Sequence, residues 1–320
     1  MTALRAKGLT KRYDGTAVVD ALDLSVERGE LYGFLGPNGA GKTTMIRMAL
    51  GLIRPSGGDV EVLGSSVRRG TPPLERVGAL VEEPAFWKYL SGARNLEYFA
   101  RSGGRGEGTR ERLRRIDEVL EIVGLADAGA KRVKAYSQGM RQRLGIGLAM
   151  LGAPDLLVLD EPTNGLDPQG MREIRRLLRR LADAGTTVFV SSHLLSEVEA
   201  MCDRVGVMAR GRLVAEGPPG TLRGAADRVR LEVDDRVRAL EILGGIPGVG
   251  PADRNGAAIR VRLSGGATAA GVNEALVAAG VGVHALVPER HSLEDVFLSL
   301  VEEDDADAAR DGRGADDVPR

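Results

Sequence analysis

One stretch of nine residues, GPNGAGKTT at positions 36–44, constrains the fold of this 320-residue chain more than any other segment. It matches the pattern G-x-x-x-x-G-K-[ST]. It lies between LYGFL, which is typical of a buried strand, and TTMIRMAL, which has helical spacing of its apolar residues. The glycines let backbone N–H groups converge on an anion, and the N-terminus of the next helix adds the positive end of its dipole. Lys42 is placed to reach the phosphates of a nucleotide, and Thr43 to offer a hydroxyl to Mg²⁺. The strand, loop and helix in this order favour a phosphate-binding loop over a glycine-rich turn with an incidental lysine.

Ionisable side chains follow two further predicted strands. The apolar run in LLVLDEP ends in Asp160 and Glu161, and the run in VFVSSH ends in His193. Ligands bind at the carboxyl edge of α/β sheets, so these side chains are predicted to share a site with the phosphate loop. There Asp160 would hold Mg²⁺, and Glu161 would orient or deprotonate the attacking water. His193 would contact the γ-phosphate or that water, although a histidine in such a place is more often a structural hydrogen-bonding residue.

Strands and helices alternate from the start of the chain to about residue 222, which predicts an α/β domain with a largely parallel sheet. Residues 84–150 are predicted to form a helical subdomain within it. Its clearest segment, RERLRRIDEVLEIVGL, has an apolar face whose residues follow one another at intervals of about one helical turn. These are Leu113, Ile116, Leu120 and Val123.

A second, smaller α/β domain is predicted for residues 225–300. The order of its elements is β-α-β-β-α-β, as in a ferredoxin-like split unit. The predicted strands are 228–233, 248–253, 257–263 and 281–287, and the predicted helices are 236–244 and 267–279. A last helix, SLEDVFLSLVEE, follows them, and the acidic tail 301–320 is predicted to be disordered.

Composition limits the partners and the compartment that we expect for the chain. Lys and Arg number 44 and Asp and Glu 45, and the net charge of −1 gives no support to a nucleic-acid partner. The single cysteine, Cys202, fits a reducing compartment. No apolar run approaches the length of about 18 residues that a membrane-spanning helix needs, so we expect that the chain does not cross a membrane by itself.

Further motifs give a resemblance that the phosphate loop alone does not. YSQGMRQRLGIGLAM, at residues 136–150, resembles the signature motif of ABC transporter ATPases, and GLDP resembles their D-loop. SSH resembles the H-loop, and the tyrosine of KRYDG resembles the A-loop aromatic residue that stacks on adenine. The resemblance covers residues 1–222 and rests on six motifs in the family's order. It implies a P-loop NTPase fold of the ABC nucleotide-binding type, with ATP and Mg²⁺ as cofactors.

The family pattern assigns nucleotide contacts residue by residue. The contacts that it implies are Tyr13, Gly36, Pro37, Asn38, Gly39, Ala40, Gly41, Lys42, Thr43, Thr44, Ser137, Gln138, Gly139 and Asp167. The family also implies a head-to-tail pair of ATPase subunits, identical or different, with two ATP molecules between them. The hydroxyl of Ser137, the open backbone at Gly139 and the helix N-terminus are chemically suited to an ATP held by the other subunit. Ser137 is equally suited to capping its own helix.

The second domain is similar to the C-terminal extension of ATPases from ABC-2-type exporters, on the strength of the ending PERHSLEDVFLSLV. Drug, antibiotic and lantibiotic resistance pumps, including daunorubicin-type systems, belong to that group. The resemblance therefore implies an ATP-hydrolysing subunit that powers efflux through separate ABC-2-type transmembrane permease subunits. Such a subunit works at the cytoplasmic face of the membrane.

The segment VGALVEEPAFW departs from the family pattern. Glu82 stands where the family usually has a glutamine that contacts Mg²⁺ and links ATP to the membrane partner. A carboxylate and an amide oxygen are both suitable ligands for Mg²⁺, so Glu82 is predicted to be a metal ligand, with Glu83 a solvated neighbour. The nearby aromatic residues Phe86, Trp87 and Tyr89 either pack locally or form a groove for a helix of the membrane partner.

Two other classes of function fit the motifs less well. ABC ATPases that act on translation or DNA usually carry two ATPase units or a long coiled-coil insertion, and the sequence has neither. A nucleotide-dependent regulator without transport is the second alternative.

Overall fold

The computed structural model describes residues 1–67, 74–82, 85–102, 108–222, 228–252 and 258–289. The chain divides into two compact units, Met1–Pro219 and Gly220–Arg320. Among the described residues, no helix has both the length and the apolar character needed to span a bilayer.

The first unit begins with an antiparallel sheet whose strand order is β2-β1-β4-β5. Leu22, Leu24 and Val26 of β2 are buried, and the residues between them are more exposed. This alternation places one face of the sheet on the core. The strands are β1 Thr2–Tyr13, β2 Thr16–Glu27, β4 Gly57–Val62 and β5 Ser65–Ser66.

A six-stranded sheet forms the centre of the unit, in the order β10-β9-β3-β8-β7-β6. The five strands from β9 to β6 are parallel to their neighbours, and β10 closes one edge antiparallel to β9. β3, β7 and β8 are buried along their whole length, as the continuous apolar runs predict. The strands are β3 Leu31–Leu35, β6 Val77–Leu80, β7 Leu156–Leu159, β8 Thr187–Ser192, β9 Arg204–Ala209 and β10 Arg212–Gly217.

One apolar core joins the two sheets across the helix that follows the phosphate loop. Leu22 of β2, Met45 of that helix, Phe34 of β3 and Phe189 of β8 all belong to this core. The rings of Phe34 and Phe189 pack with their centroids 5.4 Å apart. The helix is therefore fixed from both sides, and with it the loop at its N-terminus.

The helices of the first unit include three in the predicted helical subdomain. They are α1 Lys42–Ala49, α2 Gly92–Ser102, α3 Thr109–Ile122, α4 Gln138–Met150, α5 Pro168–Asp183, α6 Leu195–Met201 and, across the boundary of the two units, α7 Pro219–Leu222. The amphipathic prediction for α3 is wrong at one position, because Leu113 is 45% exposed. The buried stripe begins one turn later, and Val119 joins Ile116 and Leu120 in it.

The second unit contains a three-stranded antiparallel sheet in the order β12-β11-β13. Its elements are β11 Arg228–Val233, α8 Arg236–Gly245, β12 Ile259–Arg262, α9 Ala269–Ala278 and β13 Val283–Glu289. The predicted strand 248–253 is reduced, in its described part, to one bridge between Val249 and Leu263. Two glycines and Pro251 in this stretch disfavour a regular strand, since proline cannot donate to a ladder and glycine weakens one. The predicted last helix and the acidic tail lie outside the described residues.

Candidate functional site

The phosphate loop connects the end of β3 to the start of α1, as predicted. Gly41 has φ +104° and Gly39 has φ +85°, values that favour glycine. A Cβ atom at Gly41 would lie 2.4 Å from the carbonyl oxygen of Val18, and one at Gly36 would lie 2.5 Å from that of Met208. The backbone at Gly36 and Gly41 therefore leaves no room for a side chain, which is the packing reason for glycine at both positions.

Lys42 is folded into this loop rather than extended into solvent. Its side chain is 6% exposed, and its Nζ donates to the carbonyl oxygens of Gly36 at 2.6 Å and Pro37 at 3.2 Å. The same ammonium lies 3.2 Å from Oε1 of Glu161, which follows the end of β7, two strands away from β3 in the sheet. The sequence separates these two charges by more than a hundred residues, and the parallel sheet brings them together.

Thr43 and Asp160 meet across the same edge. The Thr43 hydroxyl donates to Oδ2 of Asp160 at 2.7 Å, and the Ser191 hydroxyl donates to Oδ1. Ser191 also accepts a hydrogen bond from the backbone N–H of Glu161 at 3.0 Å. Sequence reasoning missed Ser191, although a serine inside the otherwise apolar run of a buried strand was a usable signal, because a buried hydroxyl needs partners.

Glu161 and His193 form a close pair. Oε2 of Glu161 lies 2.7 Å from Nδ1 of His193 and accepts a longer hydrogen bond, 3.3 Å, from the His193 backbone N–H. Both side chains are only partly buried, at 21% and 32% exposure. Glu161 is one of the few non-glycine residues with a left-handed backbone, φ +48°. Such strain persists only where the surroundings hold the residue in place.

The phosphate loop, the start of α1 and Glu161 border a cleft of about 210 Å³. Its lining consists of Val18, Pro37, Asn38, Gly39, Gly41, Lys42, Thr43, Thr44 and Glu161. The cleft is bounded by loop backbone, one buried cation and one carboxylate, so it offers an anion both N–H donors and a point charge. This is the chemistry that a nucleotide phosphate requires.

The donors present also suit Mg²⁺. The hydroxyl of Thr43 and the carboxylate of Asp160 are adjacent oxygen ligands, and the described residues contain no group of three or more His, Cys, Asp or Glu that could hold a metal ion by itself. Mg²⁺ is usually bound by one or two protein ligands together with water and phosphate oxygens, rather than by an all-protein cage. The pair therefore fits the ion only in company with a nucleotide.

The structure places Glu82 differently from these two ligands. Its carboxylate is 76% exposed and pairs with Arg47 of α1, with 2.8 Å between Oε1 and the guanidinium. Its backbone is near the site, since the Leu80 carbonyl accepts from the Asp160 N–H at 2.8 Å. Its role as a metal ligand stays a prediction, and Glu83 lies outside the described residues.

The signature residues lie at a surface of their own. Ser137 caps α4 by accepting from the Met140 N–H at 3.2 Å, and Asp167 caps α5 in the same way through Gly170 at 3.0 Å. The Gln138 amide packs on Gly165, where a Cβ would lie 2.6 Å from its nitrogen. Within the described part of the chain, none of these residues lines the phosphate cleft.

Tyr13 and the aromatic segment are both exposed to solvent in part. Tyr13 is 47% exposed at the end of β1, with the Lys11 ammonium 4.9 Å from its ring centroid, and it does not line the cleft. Trp87 packs on Tyr98 and Phe99 with centroid distances of 4.2 and 5.4 Å. Phe86 packs on Phe99 as well, so Phe86 and Trp87 form a cluster with α2, while Tyr89 is 67% exposed.

Comparison with known proteins adds a family to this geometry. A family model described as ABC transporter matches residues 19–164. The bacitracin transport ATP-binding protein BcrA of Bacillus licheniformis is 40% identical over 304 residues, which cover 94% of this chain and 97% of that protein. The daunorubicin/doxorubicin resistance ATP-binding protein DrrA of Streptomyces peucetius is 36% identical over 305 residues, covering 93% and 92%.

A solved structure agrees with the fold. The protein cbiO1 from Clostridium perfringens, part of the ABC transporter complex cbiONQ, is 27% identical and superposes with a TM-score of 0.64. The match covers 70% of this chain and 91% of cbiO1. The family predicted from the six motifs is thereby confirmed. The chain belongs to the ATP-binding subunits of ABC transporters, and it is a nucleotide-binding ATPase of that family.

Proposed function

We propose that this chain hydrolyses ATP to power export of a drug, antibiotic or peptide through separate ABC-2-type membrane subunits. The observation that carries the proposal is the position of Glu161. Its carboxylate lies 3.2 Å from the Lys42 ammonium and 2.7 Å from the His193 imidazole, beside the oxygen pair of Thr43 and Asp160. Two relatives that match over most of their length are named for bacitracin transport and for daunorubicin/doxorubicin resistance, which supports antibiotics as the substrate class.

Nucleotide binding is assigned to the phosphate loop. The loop N–H groups and the N-terminus of α1 bind the phosphates, and Lys42 supplies a compact positive charge. Thr43 and Asp160 would hold Mg²⁺, which when bound neutralises charge on the phosphate oxygens. Glu82, at the neighbouring strand end, is the third proposed ligand and would exchange Arg47 for the metal.

Glu161 is the proposed general base. A carboxylate accepts a proton from the attacking water, and the rate gain depends on its being held in the right place. His193 holds it there through Nδ1 and the backbone N–H. Tyr13 is proposed to stack on the adenine.

The signature surface supports the proposal of a paired ATPase subunit, identical or different. Among the described residues outside its own helix, only Gly170 comes near Gly139, since a Cβ there would lie 4.0 Å from the Gly170 Cα. Its missing side chain therefore leaves space for something outside this chain. Ser137, Gln138 and Asp167 are exposed around it, so ATP held by the phosphate loop of a second subunit can approach this helix N-terminus.

The aromatic cluster is the proposed contact with the membrane subunit. Tyr98, which packs on Trp87, is 51% exposed, and Tyr89, two residues after Trp87, is 67% exposed, so this region presents aromatic surface in a protein with 3% aromatic residues. An amphipathic helix of the partner would bury this patch, as helices do in apolar grooves. The chain would then work at the cytoplasmic face of the membrane without crossing it.

Co-purification tests the partnership. The chain is co-expressed with a membrane protein of about six spans encoded by a neighbouring gene, and the complex is isolated in detergent. Tyr89→Ala and Tyr98→Ala should weaken the association, while Leu52→Ala, which removes a side chain of 63% exposure elsewhere, should leave it intact. Equal recovery of all three variants would contradict the docking surface.

Drug susceptibility tests the export itself. Cells that express both proteins should tolerate more bacitracin or daunorubicin than cells in which the chain carries Glu161→Gln. Equal susceptibility to both compounds, in cells where the complex assembles, would count against antibiotic export and leave the ATPase assignment untouched.

A further inference from the structure

One buried carboxyl group behind the Glu161–His193 pair takes no part in the steps above. Glu197, in the first turn of α6, has no exposed surface, and its Oε2 accepts a hydrogen bond from the Thr163 hydroxyl. Its Oε1 is buried as well and has no hydrogen-bond partner among the residues that the structure describes. A buried carboxyl with so few partners is costly, so its presence calls for an explanation.

Glu197 closes a ring of contacts around the proposed base. Thr163 follows Glu161 by two residues, and Glu197 follows His193 by four. The segment with Glu161 and Thr163 is joined to the segment with His193 and Glu197 at two points. Glu161 contacts His193 at 2.7 Å, and the Thr163 hydroxyl donates to Glu197. The strand end that carries the base and the helix entry that carries the histidine are therefore tied on both sides.

The backbone of Glu161 needs such a tie. Its left-handed φ of +48° is an unfavourable conformation for a residue with a side chain. The Ser191 hydroxyl holds the Glu161 N–H on one side. On the other side Pro162 has its φ fixed by its ring, and Thr163, only 3% exposed, is held by Glu197.

We propose that Glu197 is a positioning residue for hydrolysis, which anchors Thr163 and so keeps the Glu161 carboxylate aligned with His193. Glu197 does not line the cleft, so it would act on the reaction only through Thr163 and Glu161. The inference rests on the proposed role of Glu161 as the base.

The charges around Glu197 agree with this role. Burial raises the pKa of its carboxyl group, while the Thr163 hydroxyl and the positive charge of Arg175 on α5 act in the opposite direction. The negative charge of Glu161 raises the pKa further, and the charge of His193 lowers it. Glu197 therefore lies within the electrostatic field of the pair that it is proposed to hold.

The test compares variants that break the Thr163–Glu197 hydrogen bond with variants that keep it. Thr163→Val and Glu197→Ala remove the bond, while Thr163→Ser and Glu197→Gln keep a donor and an acceptor. In steady-state ATP hydrolysis by the full chain, the first two should lose roughly 10- to 100-fold in kcat, because a displaced catalytic group loses that order of rate. KM for ATP should stay within about threefold, since the loss falls on the transition state. The bond-keeping variants should stay close to the parent chain.

Two controls separate positioning from a general loss of structure. Glu199→Gln changes a charge on the same helix and should leave kcat unchanged. The double variant Thr163→Val/Glu197→Ala should be about as slow as the slower single variant, because both remove one interaction. If the alanine variant does not fold, the Thr163→Val and Thr163→Ser pair decides the matter.

The outcomes are distinct. Normal kcat in folded Thr163→Val would overturn the positioning role, as would losses that multiply in the double variant. Full hydrolysis by Glu161→Gln would instead overturn the base assignment on which the inference rests. A slow Glu161→Gln chain together with an unaffected Thr163→Val chain would reject the role of Glu197 alone.

Discussion

Two pairs of acidic residues follow neighbouring parallel strands of the central sheet, and each pair precedes a proline. After β7, Asp160 and Glu161 are held by hydroxyl, ammonium and imidazole groups. After β6, Glu82 is 76% exposed and pairs with the surface residue Arg47. The two acidic pairs look alike in sequence, but Asp160 and Glu161 contact several polar groups of the site, while Glu82 contacts a surface arginine and is exposed to solvent.

The difference lies in what each strand end faces. β7 pairs with β6 on one side and with β8 on the other, so the residues after it lie beside Ser191 and His193. Within the described residues β6 lies at one edge of its sheet, and Glu82, two residues after its end, is 76% exposed. A carboxylate in water interacts weakly with its partner, while one held among fixed dipoles and charges is preorganised. Catalytic potential therefore follows the position of the strand in the sheet.

The largest expected effect tests the central pair. Glu161→Gln keeps the size of the side chain but removes the proton acceptor, so ATP turnover should fall by roughly 100- to 10,000-fold. ATP binding, measured with a fluorescent nucleotide analogue, should persist. Glu173→Gln, the same change at a surface position of α5, is the control and should hydrolyse ATP normally. Comparable rates for the two variants would remove the basis of the contrast.

The second prediction concerns the cation that faces Glu161. Lys42→Ala removes a charged donor to phosphate, and nucleotide affinity should fall by roughly 10- to 100-fold. It also leaves Glu161 without its ammonium partner inside the site. Isothermal titration with ATP and with ADP measures the loss, and Lys7→Ala, at an exposed cation of β1 outside the cleft, is the matched control. Unchanged affinity in the Lys42 variant would contradict the phosphate-loop assignment.

The sequence predicted the part of the site that depends on local chemistry. The glycine pattern and its strand-to-helix context are read within one short segment, and the buried strands appear as continuous apolar runs. Thr43 and Asp160 could be placed at one sheet edge because carboxyl ends of parallel strands meet there. Their hydrogen bond agrees with that expectation.

Contacts that depend on how separate elements pack against each other could not be predicted from the sequence. The pairing of Glu82 with Arg47 depends on how α1 lies against the end of β6, and no sequence period encodes that distance. The irregular stretch around Val249 and the exposure of Leu113 reflect tertiary packing, which overrides local propensity. Thr163 and Glu197 are unremarkable residues until the fold brings them together.

The third prediction extends the contrast to a carboxyl group that is fully buried. Burial raises the folded-state pKa of Glu197 above its ordinary value. The stability that this group contributes is therefore present below the ordinary glutamate range and is lost as pH rises through the raised pKa. Glu197→Gln does not titrate, so its stability relative to the parent chain should rise across that window.

Urea unfolding from about pH 4 to about pH 7.5 measures this difference, since the window starts at the ordinary glutamate pKa. Glu197→Leu is the control, because it should show the same pH trend at a different absolute stability. A difference that falls with rising pH would contradict the sign argued for Glu197.

The smallest effect is expected at the exposed pair. Arg47→Gln and Glu82→Gln each break one ion pair between side chains that are 41% and 76% exposed. Solvent screening keeps such a pair below about 1 kcal/mol, so a double-mutant cycle on unfolding should give a coupling energy within that limit.

Because the ion pair is weak, Glu82 can leave Arg47 and bind Mg²⁺ when the nucleotide is present. If Glu82 is such a ligand, Glu82→Gln should raise the Mg²⁺ concentration needed for half-maximal hydrolysis only a few-fold, since an amide oxygen still serves as a ligand. A loss of turnover as large as that of Glu161→Gln would mean that exposure does not separate the two acidic pairs, and the contrast between edge and central strand would fail.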